Sequence, residues 1–158
     1  MAFAGVPKIL LFTLKMQWSE KFEGGITRVR CDGEPHAYIA TSTLISGEEG
    51  LFADRTFRPG DTVSVFKGTA LPSDTKVISR YVVEVVRRRK VLLDCESSGA
   101  PYAHKINDSR NTGIRSNCRI LQSGRLICTR LTQPGAEFLT SYGPAYWRLH
   151  GAAAQGAA

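Results

Sequence analysis

Gly50-Leu51-Phe52-Ala53-Asp54-Arg55-Thr56-Phe57-Arg58-Pro59-Gly60-Asp61-Thr62-Val63-Ser64-Val65-Phe66 is the stretch on which the fold turns. A short apolar run, Gly50 to Ala53, leads into Arg58-Pro59-Gly60-Asp61, where proline fixes φ and glycine lets the chain reverse. Thr62 to Phe66 then alternates polar and apolar side chains, the period of a strand with one buried face. The same grammar continues outward in both directions. Downstream, Tyr81 to Val86 and Val91 to Cys95 read as strands joined through Arg87-Arg88-Arg89-Lys90, and Cys118 to Gln122 and Arg125 to Thr129 flank Ser123-Gly124. Pro134-Gly135 marks a further turn. Upstream, Gly25 to Cys31 and His36 to Leu44 flank Asp32-Gly33, a dipeptide suited to a tight turn. Helix signals are few, no internal repeat is visible, and a mainly β fold follows.

The 158 residues fit one domain with a real core, and 42% hydrophobic and 22% charged residues are ordinary for a globular chain. The net charge of +7 favours acidic or phosphate-bearing partners. Cys31, Cys95, Cys118 and Cys128 lack the spacing of a zinc site and are read as reduced, packed thiols, which suits a reducing compartment. No metal is expected. Ile9 to Leu14, bracketed by Lys8 and Lys15, is too short for a secretory core or a bilayer span and reads as a buried strand. No membrane contact is expected. Gly151 to Ala158 is Gly, Ala and one Gln, read as a flexible end.

Three ordered segments resemble the SET domain family of protein-lysine methyltransferases. Gly50 to Asp61 followed by Val63-Ser64-Val65-Phe66-Lys67-Gly68 is similar to the family's opening motif. Val91-Leu92-Leu93-Asp94, then Ala103-His104-Lys105-Ile106-Asn107-Asp108-Ser109 and Asn117-Cys118, is similar to the central one. Pro134-Gly135-Ala136-Glu137-Phe138-Leu139-Thr140-Ser141-Tyr142-Gly143, with Tyr146-Trp147 after it, is similar to the closing one. The resemblance runs from about Tyr38 to Trp147, dividing the chain into an N-terminal extension (1–37), a SET domain (38–147) and a flexible tail (148–158). It implies a SET-type β-clip fold of several short curved sheets with a knot-like C-terminal crossing.

It also implies a chemistry: transfer of a methyl group from S-adenosylmethionine to a lysine of a protein or peptide, histones among the substrates. Tyr142 then takes the catalytic position, its hydroxyl near the transferring methyl and amine. Glu48, Glu49, Gly50 and Leu51 occupy the cofactor-cradling turn; Asn107, Asp108 and Trp147 complete the cofactor site. Phe66 and Tyr146 line the substrate channel. Two departures stand out: Asp108 where the family usually has histidine, and Glu48 where its motif has a first glycine. The family's cysteine-rich flanking segments are absent. These features keep an alternative open, a catalytically degenerate SET domain serving as a protein-binding or structural module. A basic nucleic-acid-binding β domain is a third reading. Arg87 to Lys90 are read as a solvated turn or as a patch resting on a nucleic-acid backbone, and His104 as a polar surface or turn residue. An intracellular, nuclear location follows by analogy alone; the oligomeric state is not legible.

Overall fold

The computed structural model describes residues 20–21, 27–31, 34–72, 74–75, 79–86, 88–96 and 102–151. The expected strand at Ile9 to Leu14, the Asp32-Gly33 turn, Arg87 and residues 152–158 lie outside them. The architecture is mainly β, in short sheets with one helix. Strands β1 (Glu20–Lys21), β2 (Thr27–Cys31), β3 (Glu34–Thr41) and β4 (Glu49–Ala53) form an antiparallel sheet in that order. β3 therefore runs across position 37. It stops at Thr41 because the Ser42 hydroxyl turns back to accept the N–H groups of Leu44 and Ile45, at 3.2 and 3.0 Å.

The quoted stretch forms the expected strand, turn and strand. β4 buries Gly50 to Ala53, Arg58 to Asp61 turns, and β5 (Thr62–Val65) follows. β5 buries Ser64 along with Val63 and leaves Val65 half-buried, so its burial does not alternate as expected. The Asp61 carboxylate accepts the Arg58 N–H at 3.0 Å, closing that turn. Farther on come β6 (Thr69–Leu71), β7 (Val82–Val86) and β8 (Lys90–Asp94), a sheet with β8 in the middle. β9 (Asn107–Asp108) is followed by β10 (Cys118–Ile120) and β11 (Arg125–Cys128), whose hairpin pairs with β5. β12 (Leu139–Thr140) and helix α1 (Gly143–His150) end the described chain. Pro144 stands in the first turn of α1, and Gly151, at φ 67°, ends it by donating its N–H to the Trp147 carbonyl. The helix continues across position 148. The core gathers Leu51, Phe57, Val63, Val85, Ile106, Leu126 and Phe138, with Phe57 edge-on to Phe138.

The C-terminal crossing is built from backbone alternation. β12 lies parallel to β9, Leu139 opposite Asn107 and Thr140 opposite Asp108. The Thr140 carbonyl accepts the Ser109 N–H at 2.8 Å on that edge. Leu139 faces the other way: its N–H goes to Asn117 Oδ1 at 2.8 Å, and its carbonyl accepts the Asn117 N–H at 3.1 Å. Asn117 Nδ2 also donates to the Glu137 carbonyl at 2.9 Å. Segment 107–117 thus grips segment 137–140 on both edges, although Asn117 and Glu137 are 20 positions apart in the chain.

Candidate active site

Beside this crossing lies a cavity of about 710 Å3, within the range of small-molecule sites. Its walls include six of the residues singled out in the sequence: Glu48, Glu49, Phe66, Asn107, Tyr142 and Tyr146. Gly50, Leu51, Asp108 and Trp147 are not among them. Leu51 is core, Trp147 stands behind Tyr142, its ring stacked with centroids 6.2 Å apart, and Asp108, 2% exposed, turns its carboxylate to the protein.

Tyr142 sits where β12 passes into α1. Its hydroxyl donates to the Ile106 carbonyl at 2.6 Å, the residue just before β9. The two strands of the crossing thus bring phenol and carbonyl together. Burial, helped by Tyr146 and Asp108, pushes the phenol far above its usual range, so it stays protonated. Tyr146 stands edge-on to Tyr142 at 4.6 Å and lies tilted against His150 one turn later at 4.5 Å. Phe66, at the end of β5, lies across the cavity wall with Tyr81, Val82 and Ile120.

Asn107 anchors the opposite side. Its Nδ2 donates to the Glu49 carbonyl at 3.0 Å and to Glu137 Oε1 at 2.9 Å. Two acceptors fix the amide's orientation and leave its oxygen for another partner. Glu137, 8% exposed, also accepts the Ser42 hydroxyl at 3.0 and 2.9 Å. One buried carboxylate therefore ties the end of β3, the central motif and the closing motif together. Gly50 is required for it: a Cβ there would lie 2.7 Å from the Glu137 carboxyl carbon. The glycine's close approach, expected to serve a cofactor, is to this side chain.

Sequence reasoning missed Glu137, Ser42, Arg80, Tyr81 and the placing of His104. Arg80 grips Glu48 with two N–H groups at 2.9 and 3.3 Å and donates to the Tyr81 hydroxyl at 2.9 Å. Lys105 pairs with Glu49 at 2.8 Å. His104 is half-buried in the cavity wall rather than at the surface, because the 3-10 turn Ala103–Lys105 packs Ala103 into the core. Burial, then Lys105, pulls its imidazole down to about 4, against a smaller opposing effect of Glu49. Its Nδ1 is buried without a hydrogen-bond partner. Only Glu137 left a trace in the sequence, an acid inside an otherwise apolar run.

Arg88, Arg89 and Lys90 are exposed, Lys90 paired with Glu84 at 3.1 Å. Among the described residues, Cys95, Cys118 and Cys128 are buried thiols. No metal-ligand cluster occurs among the described residues, and no helix among them is long and apolar enough to cross a membrane.

Against known proteins, no family model and no curated protein sequence matches. Solved structures do. The methyltransferase domain of human PR domain-containing protein 2 superposes with a TM-score of 0.57 at 18% identity, over 70% of this chain and 80% of that one. A Plasmodium falciparum protein designated a histone methyltransferase superposes with a TM-score of 0.51 at 20% identity, over 72% of this chain and 98% of that one. The chain has a mainly β, SET-like fold, shared with these domains.

Proposed function

We propose that this chain is a protein-lysine methyltransferase that takes its methyl group from S-adenosylmethionine, with histones as a substrate class. The observation that carries the proposal is the Tyr142 hydroxyl donating to the Ile106 carbonyl at the cavity wall, beside the β9–β12 crossing.

The residues present fit the cofactor. A cationic, amino-rich ligand needs acceptors, and the cavity wall offers the Asn107 amide oxygen, the Glu48 and Glu49 carboxylates and the orphaned Nδ1 of His104. Glu48, Glu49 and Asn107 would hold it. S-adenosylmethionine, when bound, supplies an electrophilic methyl on a sulfonium sulfur. The protein's share is positioning and dehydration. A free lysine has a pKa of about 10.4 and is almost wholly charged at neutral pH. Walls of Phe66, Tyr81, Val82 and Tyr146 penalise the ammonium and favour the neutral amine. Having committed its proton to Ile106, the neutral Tyr142 phenol keeps oxygen lone pairs for an amine N–H. This role is orientation, not proton abstraction.

Tyr142→Phe keeps the ring packing and removes the hydroxyl. It should lower kcat on a lysine peptide about 100- to 1000-fold, with cofactor affinity by calorimetry unchanged. Unchanged turnover in that variant would count against the assignment. One observation favours the second reading, a binding module without catalysis: Glu48 and Glu49 are already paired with Arg80 and Lys105. Absence of calorimetric heat at millimolar S-adenosylmethionine would select it. Arg88 and Arg89 are proposed to rest on phosphates beside the substrate, in keeping with a nuclear location.

A further inference from the structure

The Asp108 carboxylate is a junction where backbone and side-chain donors meet, Arg110, Tyr142 and Trp147 among them. Its Oδ1 accepts the Arg110 N–H at 2.6 Å. Its Oδ2 accepts the Tyr142 N–H at 2.6 Å and the Trp147 indole N–H at 3.0 Å. A carboxylate is acceptor-only and takes all three. A neutral imidazole has a single acceptor, and a carboxamide would turn its own N–H groups against one of the donors. The aspartate also faces the N-terminal end of α1, where an anion is favoured. Trp147, held by this bond, lies nearly parallel to the Tyr142 ring at 17°, and the Arg110 guanidinium sits 5.1 Å from the Trp147 ring.

We infer that Asp108 is a positioning residue: by holding the Tyr142 N–H and the Trp147 ring stacked on it, it sets the Tyr142 hydroxyl against Ile106 without touching the cofactor. The inference rests on the methyltransferase reading, in which Tyr142 is the catalytic phenol. It reverses the sense of the sequence departure at this position. Aspartate matches an indole and two main-chain donors that a histidine could not serve together.

The test uses the full chain in a Trp18→Phe background, which leaves Trp147 as the sole one of two tryptophans. Asp108→Asn should lower kcat about 100-fold, the cost of a displaced catalytic group. Calorimetric affinity for S-adenosylmethionine should stay within about threefold, and Trp147 emission should move to longer wavelength. Asp108→Asn added to Tyr142→Phe should cost little more than Tyr142→Phe alone. A kcat kept within about threefold overturns the inference. So does cofactor affinity falling in step with kcat, which would make Asp108 a ligand contact. Should Asp108→Asn not fold, Trp147→Phe carries the test: about a tenfold loss of kcat at unchanged affinity supports it, and an unchanged kcat overturns it. If the parent protein neither binds nor consumes S-adenosylmethionine, the methyltransferase reading fails on its own. Trp147 emission then decides the anchor, and an emission unmoved by Asp108→Asn refutes it.

Discussion

Gly50→Ala is the sharpest probe of how the site is held together. Gly50 pairs with Ala40 in an ordinary strand, and its φ is not positive, so its backbone accepts alanine. The obstacle is space. The new methyl would fall on the Glu137 side chain, 2.7 Å from its carboxyl carbon and 3.2 Å from Cγ. Either the carboxylate leaves or the strand moves. A departing carboxylate gives up the Ser42 hydroxyl and the Asn107 amide, each hydrogen bond to a charged group being worth about 1.5–3 kcal/mol. A strand that moves instead takes on overpacking of about 1–3 kcal/mol. The expected loss is therefore about 3 kcal/mol, read from urea unfolding. The decisive comparison is the cycle with Glu137→Ala, which vacates the space. There Gly50→Ala should cost less than about 0.5 kcal/mol, a coupling of more than about 2 kcal/mol. Equal costs in both backgrounds, or a single-mutant loss below about 1 kcal/mol, would refute the contact.

Acid should reveal His104. Its folded imidazole takes a proton only near pH 4, whereas the unfolded side chain does so near 6.5. Between those values the unfolded state binds more protons, so stability falls as pH drops from 6.5 towards 4, and no further below. With solvent screening of a half-buried group, the loss is at most about 2 kcal/mol; His104→Leu should flatten the urea midpoint across that window, and a slope parallel to the parent's would refute the cause. Burial pushes Cys95 up to about 11 and Cys118 still higher. Both should resist iodoacetamide at pH 8 until denaturant is added, which peptide mass spectrometry reads directly; fast labelling of the native protein would contradict their burial. Replacing Arg88 and Arg89 with alanine should reduce the slope of log affinity against log salt on duplex DNA by about 2, whereas an unchanged slope removes them from any phosphate contact.

Local rules carried the sequence reading well where neighbours in the chain decide the outcome. The Arg58 to Asp61 turn and the Ser123-Gly124 hairpin depend on φ, and both appear as expected. Thr62 to Val65 is a strand, but Val63 and the polar Ser64 are both buried while Val65 is only half-buried, so the one-face alternation does not hold there. What escaped depends on long-range partners or on very short elements. β9 and β12 are two residues each, too short for any periodicity; they exist because Asn117 holds the far edge of Leu139. Helix α1 was legible in principle, since Pro144 just inside its start and Gly151 just past its end are the usual asymmetry. Tyr146 and Trp147 between them read equally well as channel aromatics. Arg80 carried no local signal. Its role exists only through Glu48, 32 residues upstream.

The two departures from the family pattern bear differently on whether the site can work. Glu48 is paired with Arg80 at the cavity wall, both side chains partly exposed, at 24% and 42%. The two Arg80 N–H contacts make the pair bidentate, and such a pair holds more firmly than an ordinary exposed one. A ligand that takes Glu48 must first displace Arg80. Asp108 is the costlier group to disturb, being buried and engaged by backbone and side-chain donors. Its energy goes into the alignment of Tyr142 and Trp147 and does not oppose a ligand. The acceptor-only side chain is matched to an indole, to two main-chain donors and, through Tyr142, to a phenol set against Ile106. The first calorimetric titration with S-adenosylmethionine decides between a working site and a vestigial one.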